Sequence, residues 1–266
     1  MNLERYLVRP GRGKLADHDP GDSAGLDKSA AQARTDALLQ ELRDLQARLY
    51  AESRQSVLVI LQARDAGGKD GTVKHVFGGV NPQGVRVVGF KVPSAKEAAH
   101  DFLWRVHAEV PERGMLAIFN RSQYEDVLVP VTRGLLNQDG ARRRLQHIRA
   151  FEELLSDAGT RVVKFYLHIS PEEQLRRLQA RLDDPHKRWK FNPGDLADRA
   201  RWKEFTRAYE LALSETSSAT APWYVVPADH KWFRNLVVAE VIVATLRAMN
   251  PQFPPPTFDP ASVRLE

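Results

Sequence analysis

Five short apolar runs, 57–61, 85–90, 115–119, 162–169 and 223–226, are rich in β-branched and aromatic residues, and a helical pattern separates each from the next. Strands that alternate with helices require crossover connections, and each crossover helix covers a face, so the spacing predicts a five-stranded parallel sheet with helices on both faces. The helical patterns cover about 28–50, 70–78, 95–109, 121–129, 140–158, 171–182, 195–214 and 232–248. In the first, Leu38, Leu42, Leu45 and Leu49 form one stripe that has to pack on the sheet or on a partner subunit. Ser170 followed by Pro171 reads as a helix cap and first helical residue.

At 266 residues and 42% hydrophobic content, the chain is long enough for one large α/β domain spanning 1–266. The absence of cysteine excludes disulfides, thiolate chemistry and thiolate-ligated metals, and the eight histidines show no HExxH pair. No run approaches the ~20 apolar residues that span a bilayer, and the N-terminal MNLERYLVRPGRGK lacks an apolar signal core, so no membrane partner and a cytoplasmic location are expected. A net charge of +5 suits an anionic substrate without demanding nucleic acid. Positive charge concentrates at about 176–203, where DDPHKRWKFNPG joins two helices with two prolines and a basic cluster. That stretch reads as the tip of a mobile lid. The proline-rich stretch 251–266 reads as an extended tail.

The chemistry gathers in two turns. ARDAGGKDGT, from Ala63 to Thr72, links the first strand to a helix. Glycines let backbone N–H groups at a helix N-terminus close around an anion, and Lys69 adds a mobile charge. The loop departs from GxxxxGK followed by Ser or Thr, because Ala63 stands at the first glycine and Asp70 at the magnesium-binding hydroxyl. Asp65 and Asp70 are then candidate oxygen donors to magnesium. Ala66, Gly67, Gly68, Lys69, Asp70, Gly71, Thr72 and Lys74 are the candidate phosphate cradle.

The second turn, NRSQYED, follows the third strand, and turns at strand carboxyl ends converge on ligands in such sheets. Arg121 is positioned to bind phosphate oxygens, with Asn120 and Glu125 arranging magnesium, water or the acceptor; a plain helical pair of Arg121 with Glu125 is the competing reading. Arg177, Arg181, Lys187 and Lys190 are candidates for closing over a polyanion and neutralising developing charge. Trp189 and Trp202 are expected to anchor the lid. Lys91, Arg105 and Asp126 complete the candidate nucleotide-binding set with Arg121, although Arg105 is equally placed to pair with Asp101 along a helix.

The segments ARDAGGKDGTVK, HDFLWR (100–105), NRSQYEDVLV (120–129), HIRAFEELL (147–155) and WKFNPGDL (189–196) together resemble the polyphosphate kinase 2 family over about 6–254. The resemblance implies a thymidylate-kinase-like P-loop fold with a helical lid, dependence on magnesium or manganese, and phosphoryl transfer between inorganic polyphosphate and adenine or guanine nucleotides. It implies the Walker A role for Asp65 and Lys69, the Walker B role for Asn120 and Arg121, and homodimers or homotetramers. Many family members carry Asp where this chain has Asn120. The NRSQYED form resembles the subgroup that accepts both AMP and ADP, and the change shifts the expected metal ligands toward Asp65 and Glu125. Asp65, Lys69, Asn120, Arg121, Glu125 and Arg181 are then the expected catalytic group. An ATP-dependent nucleoside monophosphate kinase and a non-catalytic nucleic-acid binder are the alternative readings.

Overall fold

The computed structural model describes residues 1–264, so Leu265 and Glu266, at the end of the expected tail, lie outside the described residues. Its centre is a five-stranded sheet in the order β2-β3-β1-β4-β5, comprising β1 (Ser56–Ala63), β2 (Val85–Gly89), β3 (Leu116–Asn120), β4 (Thr160–His168) and β5 (Trp223–Pro227). All four pairings are parallel. β1 is buried along its whole length because both faces are covered. Val57, Val59 and Leu61 join one core, and Leu58 and Ile60 join the other.

The first core is roofed by α1 (Lys28–Glu52), α2 (Lys69–Phe77) and α10 (Lys231–Met249). α10 is apolar on nearly every side, from Phe233 to Met249, because it is sandwiched between the sheet and α1. The leucine stripe of α1 therefore meets α10 of the same chain, and Arg247–Glu41 and Arg34–Glu240 ion pairs flank the seam. The second core is closed by α5 (Glu125–Thr132), α6 (Gln138–Asp157) and α9 (Trp202–Thr216). Between them run α7 (Pro171–Asp183) and α8 (Gly194–Ala200).

Three sequence expectations need correction. The helix expected over 95–109 is two single turns, α3 (Ala95–Ala98) and α4 (Trp104–His107), because the Asp101 carboxylate caps Leu103 N–H at 2.9 Å and restarts the backbone there. The helix expected over 195–214 is broken at Arg201, which separates α8 from α9. The one expected over 121–129 begins only at Glu125, because Arg121 takes a left-handed φ of 67°. The N-terminal segment supplies Tyr6 and Val8 to the cores and bonds to the edge of β5 through Val8 N–H to Trp223 O and Val225 N–H to Tyr6 O. Among the described residues no helix is long and apolar enough to cross a membrane.

Candidate active site

The carboxyl ends of the strands open into a cleft of about 710 Å³. Its floor is the loop between β1 and α2. Ala66 and Gly68 adopt φ of 60° and 105°, which turns the chain sharply into the N-terminus of α2. Ala63 is tolerated where the motif has glycine because Gly67 faces it: a Cβ on Gly67 would lie 2.7 Å from that of Ala63. Lys69 folds back onto the end of β1, its Nζ donating to Ala63 O at 3.0 Å. Burial, reinforced by the nearby Arg121 guanidinium, lowers its pKa.

Arg121 joins the two turns. Its guanidinium stands 3.0 Å from Asp65 Oδ1 and 3.6 Å from Glu125 Oε2. The helical pair with Glu125 therefore exists, but only as one arm of a three-residue bridge, and Gln62 Nε2 donates to the other Glu125 oxygen at 3.2 Å. Loss of water raises the Glu125 pKa, against the pull of Arg121 and Lys69. A left-handed non-glycine residue costs ~1–2 kcal/mol, so the surroundings of Arg121 must hold it there. Asn120 Nδ2 donates to Asp70 Oδ1 at 2.8 Å, and Lys190 Nζ reaches Asp70 Oδ2 at 3.2 Å, tying the loop to the lid. Burial opposes ionisation of Asp70, but these two donors prevail and its pKa is lowered.

Of the expected hard oxygen donors, Asp65 and Asn120 line the cleft, whereas Glu125 lines a smaller pocket that it shares with Asp65. Among the described residues no group of three or more His, Asp or Glu forms a metal cage. Asp65 Oδ1 and Glu125 are already engaged by Arg121 and Gln62. The set suits magnesium held by one or two protein oxygens, with water and substrate phosphates completing the shell.

The lid supplies Arg181, Lys187 and Lys190 to the cleft. Arg181 stands 3.4 Å from Asp195, whose pKa is raised to about 6 by burial and by the neighbouring Asp65 carboxylate. Trp202 anchors the base of the lid, with the Arg64 guanidinium 3.8 Å above its ring and bonded to its carbonyl. Trp189 is 77% exposed at the tip and lines the cleft, so it is no anchor.

Several candidates lie elsewhere. Thr72 is buried within α2 and donates to Gly68 O, and Lys74 points outward; neither lines the cleft. Arg177 borders the cleft, but its fork is committed to Glu173 and to the carbonyls of Ala66, Gly67 and Asp229, so it holds the loop in shape. Arg105 does not pair with Asp101: the broken helix turns it inward to Asp126 at 2.9 Å and to Lys91 O at 2.7 Å. Lys91 itself lines the cleft, whereas Arg105 and Asp126 do not.

Sequence reasoning missed Lys231, Arg234 and Asn235, which reach the cleft from the first turn of α10. Arg234 is 2% exposed, and among the described residues its guanidinium bonds only to Asn235 Oδ1. Burial and the facing Arg177 lower its pKa to about 9. The rule that picked out the first two turns, that ligands gather at strand carboxyl ends, applied equally to the turn after β5.

The family model for Polyphosphate kinase 2 (PPK2) matches residues 25–254. The chain belongs to this family. It is 51% identical over 257 residues to the AMP/ADP-polyphosphate phosphotransferase of Meiothermus ruber, covering 96% of each chain. It is 46% identical to the ADP-polyphosphate phosphotransferase of Rhodopseudomonas palustris, covering 82% of this chain and 80% of the other. Among solved structures it superposes on polyphosphate kinase 2 from Arthrobacter aurescens TC1 with a TM-score of 0.92 and 42% identity, over 96% of this chain and 93% of that one. The fold of the chain thus has a close structural counterpart within the family.

Proposed function

We propose that this chain catalyses magnesium-dependent transfer of the terminal phosphoryl group between inorganic polyphosphate and adenine nucleotides, converting AMP to ADP and ADP to ATP and running in reverse. One observation carries the reading: ten Lys or Arg residues but only three Asp line the cleft above the glycine loop. That excess is more than one mononucleotide requires and suits a long polyanion. The family membership and the Meiothermus ruber relative, whose name gives AMP and ADP, support the same substrates and this pair of acceptors.

In this mechanism Lys69 leaves Ala63 O to hold the terminal phosphoryl group. Arg121, fixed between Asp65 and Glu125, neutralises charge on the equatorial oxygens, and Arg181 and Lys190 close from the lid. Lys91 stands at the cleft edge for the acceptor phosphate. Asp65 and Asn120 would hold magnesium, which when bound supplies further neutralisation of the phosphate oxygens. Positioning carries most of the rate, because the transition state spreads charge over oxygens and needs no strong base.

The test separates nucleotides after incubating AMP or ADP with magnesium and long-chain polyphosphate in the absence of ATP. ADP and ATP should form. A preparation that phosphorylates AMP only when ATP is present would instead be a nucleoside monophosphate kinase.

A further inference from the structure

Glu152 lies on α6 within HIRAFEELL, a segment that contributes nothing to the cleft. It is 1% exposed, and its partner Lys164, in the middle of β4, is 0% exposed. Such a pair is costly to dehydrate, and apolar residues of similar volume would serve the core at least as well. What distinguishes it is where its hydrogen bonds go.

Glu152 Oε1 accepts from Gln123 Nε2 at 3.0 Å and from the Tyr124 hydroxyl at 2.9 Å. Lys164 Nζ donates to Glu152 Oε2, to the Tyr124 oxygen at 3.1 Å and to Thr216 O at 2.7 Å. Gln123 and Tyr124 are consecutive residues of the NRSQYED turn, both fully buried, and they lie between Arg121 and Glu125. The pair therefore grips the turn from behind, while Arg121 faces the cleft in front and Glu125 faces the small pocket beside it, which Arg121 and Asp65 also line. The gripped turn is the one in which Arg121 holds φ 67°. Arg121's own N–H donates to Leu61 O at 3.1 Å, so the front of the turn is tied to β1 while its next residues are tied to the buried pair.

We propose that the Lys164–Glu152 pair is a positioning device for phosphoryl transfer: by anchoring Gln123 and Tyr124, it keeps Arg121 in its left-handed conformation with the guanidinium between Asp65 and Glu125. This rests on the transfer reaction proposed above. The clamp acts through Arg121 and touches no substrate, so its removal should lower kcat more than it changes polyphosphate KM.

Gln123→Met with Tyr124→Phe detaches the turn while leaving the ion pair intact. In the folded variant kcat should fall about tenfold or more, with KM within about twofold. In an Arg121→Lys background the same pair of changes should produce little further loss, because the group being positioned is already gone. Amide exchange at 121–125 should quicken while that of β4 and α6 stays unchanged. Should the double variant not fold, Tyr124→Phe alone enters the same cycle; its ring keeps the edge contact with Trp223, at 4.9 Å between centroids. Wild-type kcat in the folded variant, or an equal fractional loss in both Arg121 backgrounds, overturns the proposal. A wild-type protein without transfer activity would refute the reaction instead, and the exchange measurement would then decide the clamp: unchanged protection at 121–125 would overturn it.

Discussion

Gly68 and Arg234 compete for the same space: a Cβ on Gly68 would collide with Arg234 Nη1, and Gly68 already holds a φ of 105°. The glycine thus serves the loop twice, in its turn and in admitting a buried cation beneath the N-terminus of α2. Gly68→Ala should cost ~1–2 kcal/mol of stability through backbone strain. It should also displace Arg234 and the loop, lowering transfer by roughly 10²-fold. Thermal melts and steady-state kinetics on the same preparation check both parts, and a variant with unchanged turnover would show that the close approach is irrelevant.

Among the described residues Arg234 has no carboxylate partner, and its lowered pKa reflects burial beside Arg177. A group unfavourable in the empty protein and aimed into an anion cleft is expected to recover that cost on binding. Arg234→Met should therefore leave the Tm at neutral pH unchanged or higher, while polyphosphate KM rises about tenfold. A lower Tm with normal KM would make Arg234 an ordinary core residue.

Arg105 and Asp126 form a pair whose side chains are 6% and 16% exposed, and Arg105 also supports the Lys91 carbonyl. Breaking such a pair strands a buried charge. Asp126→Asn should destabilise the protein by about 3 kcal/mol and leave AMP and ADP KM close to wild type. A selective rise in nucleotide KM at unchanged stability would restore Asp126 to the nucleotide site.

These cases show what was legible in the sequence. The five strands and most helices were readable because each apolar run has one burial pattern that satisfies it, and chain order then placed the Ala63 and Asn120 turns on one edge. Lys69, Asp65 and Arg121 could be named from those turns alone. The direction of a side chain within a helix end could not. Whether Arg105 faces Asp101 or Asp126 depends on a one-turn break at Asp101, and whether Arg177 meets ligand or loop carbonyls depends on how closely α7 approaches the loop. The buried Lys164 was equally invisible, since a lysine in a strand ordinarily reads as surface.

Asp195 offers a pH-dependent check on the lid. Its pKa rises from 3.8 to about 6 through burial and the Asp65 charge, with Arg181 only partly opposing. An acid whose folded pKa exceeds its unfolded value binds its proton more tightly when folded. Stability therefore declines as pH rises through 3.8 toward 6, and the penalty is complete above that range. Asp195→Asn removes the penalty. In metal-free buffer without substrate the variant's Tm should match wild type near pH 4, pull ahead as pH increases, and hold a constant lead above about pH 6.5. After discounting for solvent, that lead corresponds to about 1–2 kcal/mol, or roughly 2–6 °C in Tm. A difference between the two proteins that is flat from pH 4 to 8 would mean that Asp195 titrates in the folded chain as it does in the unfolded one.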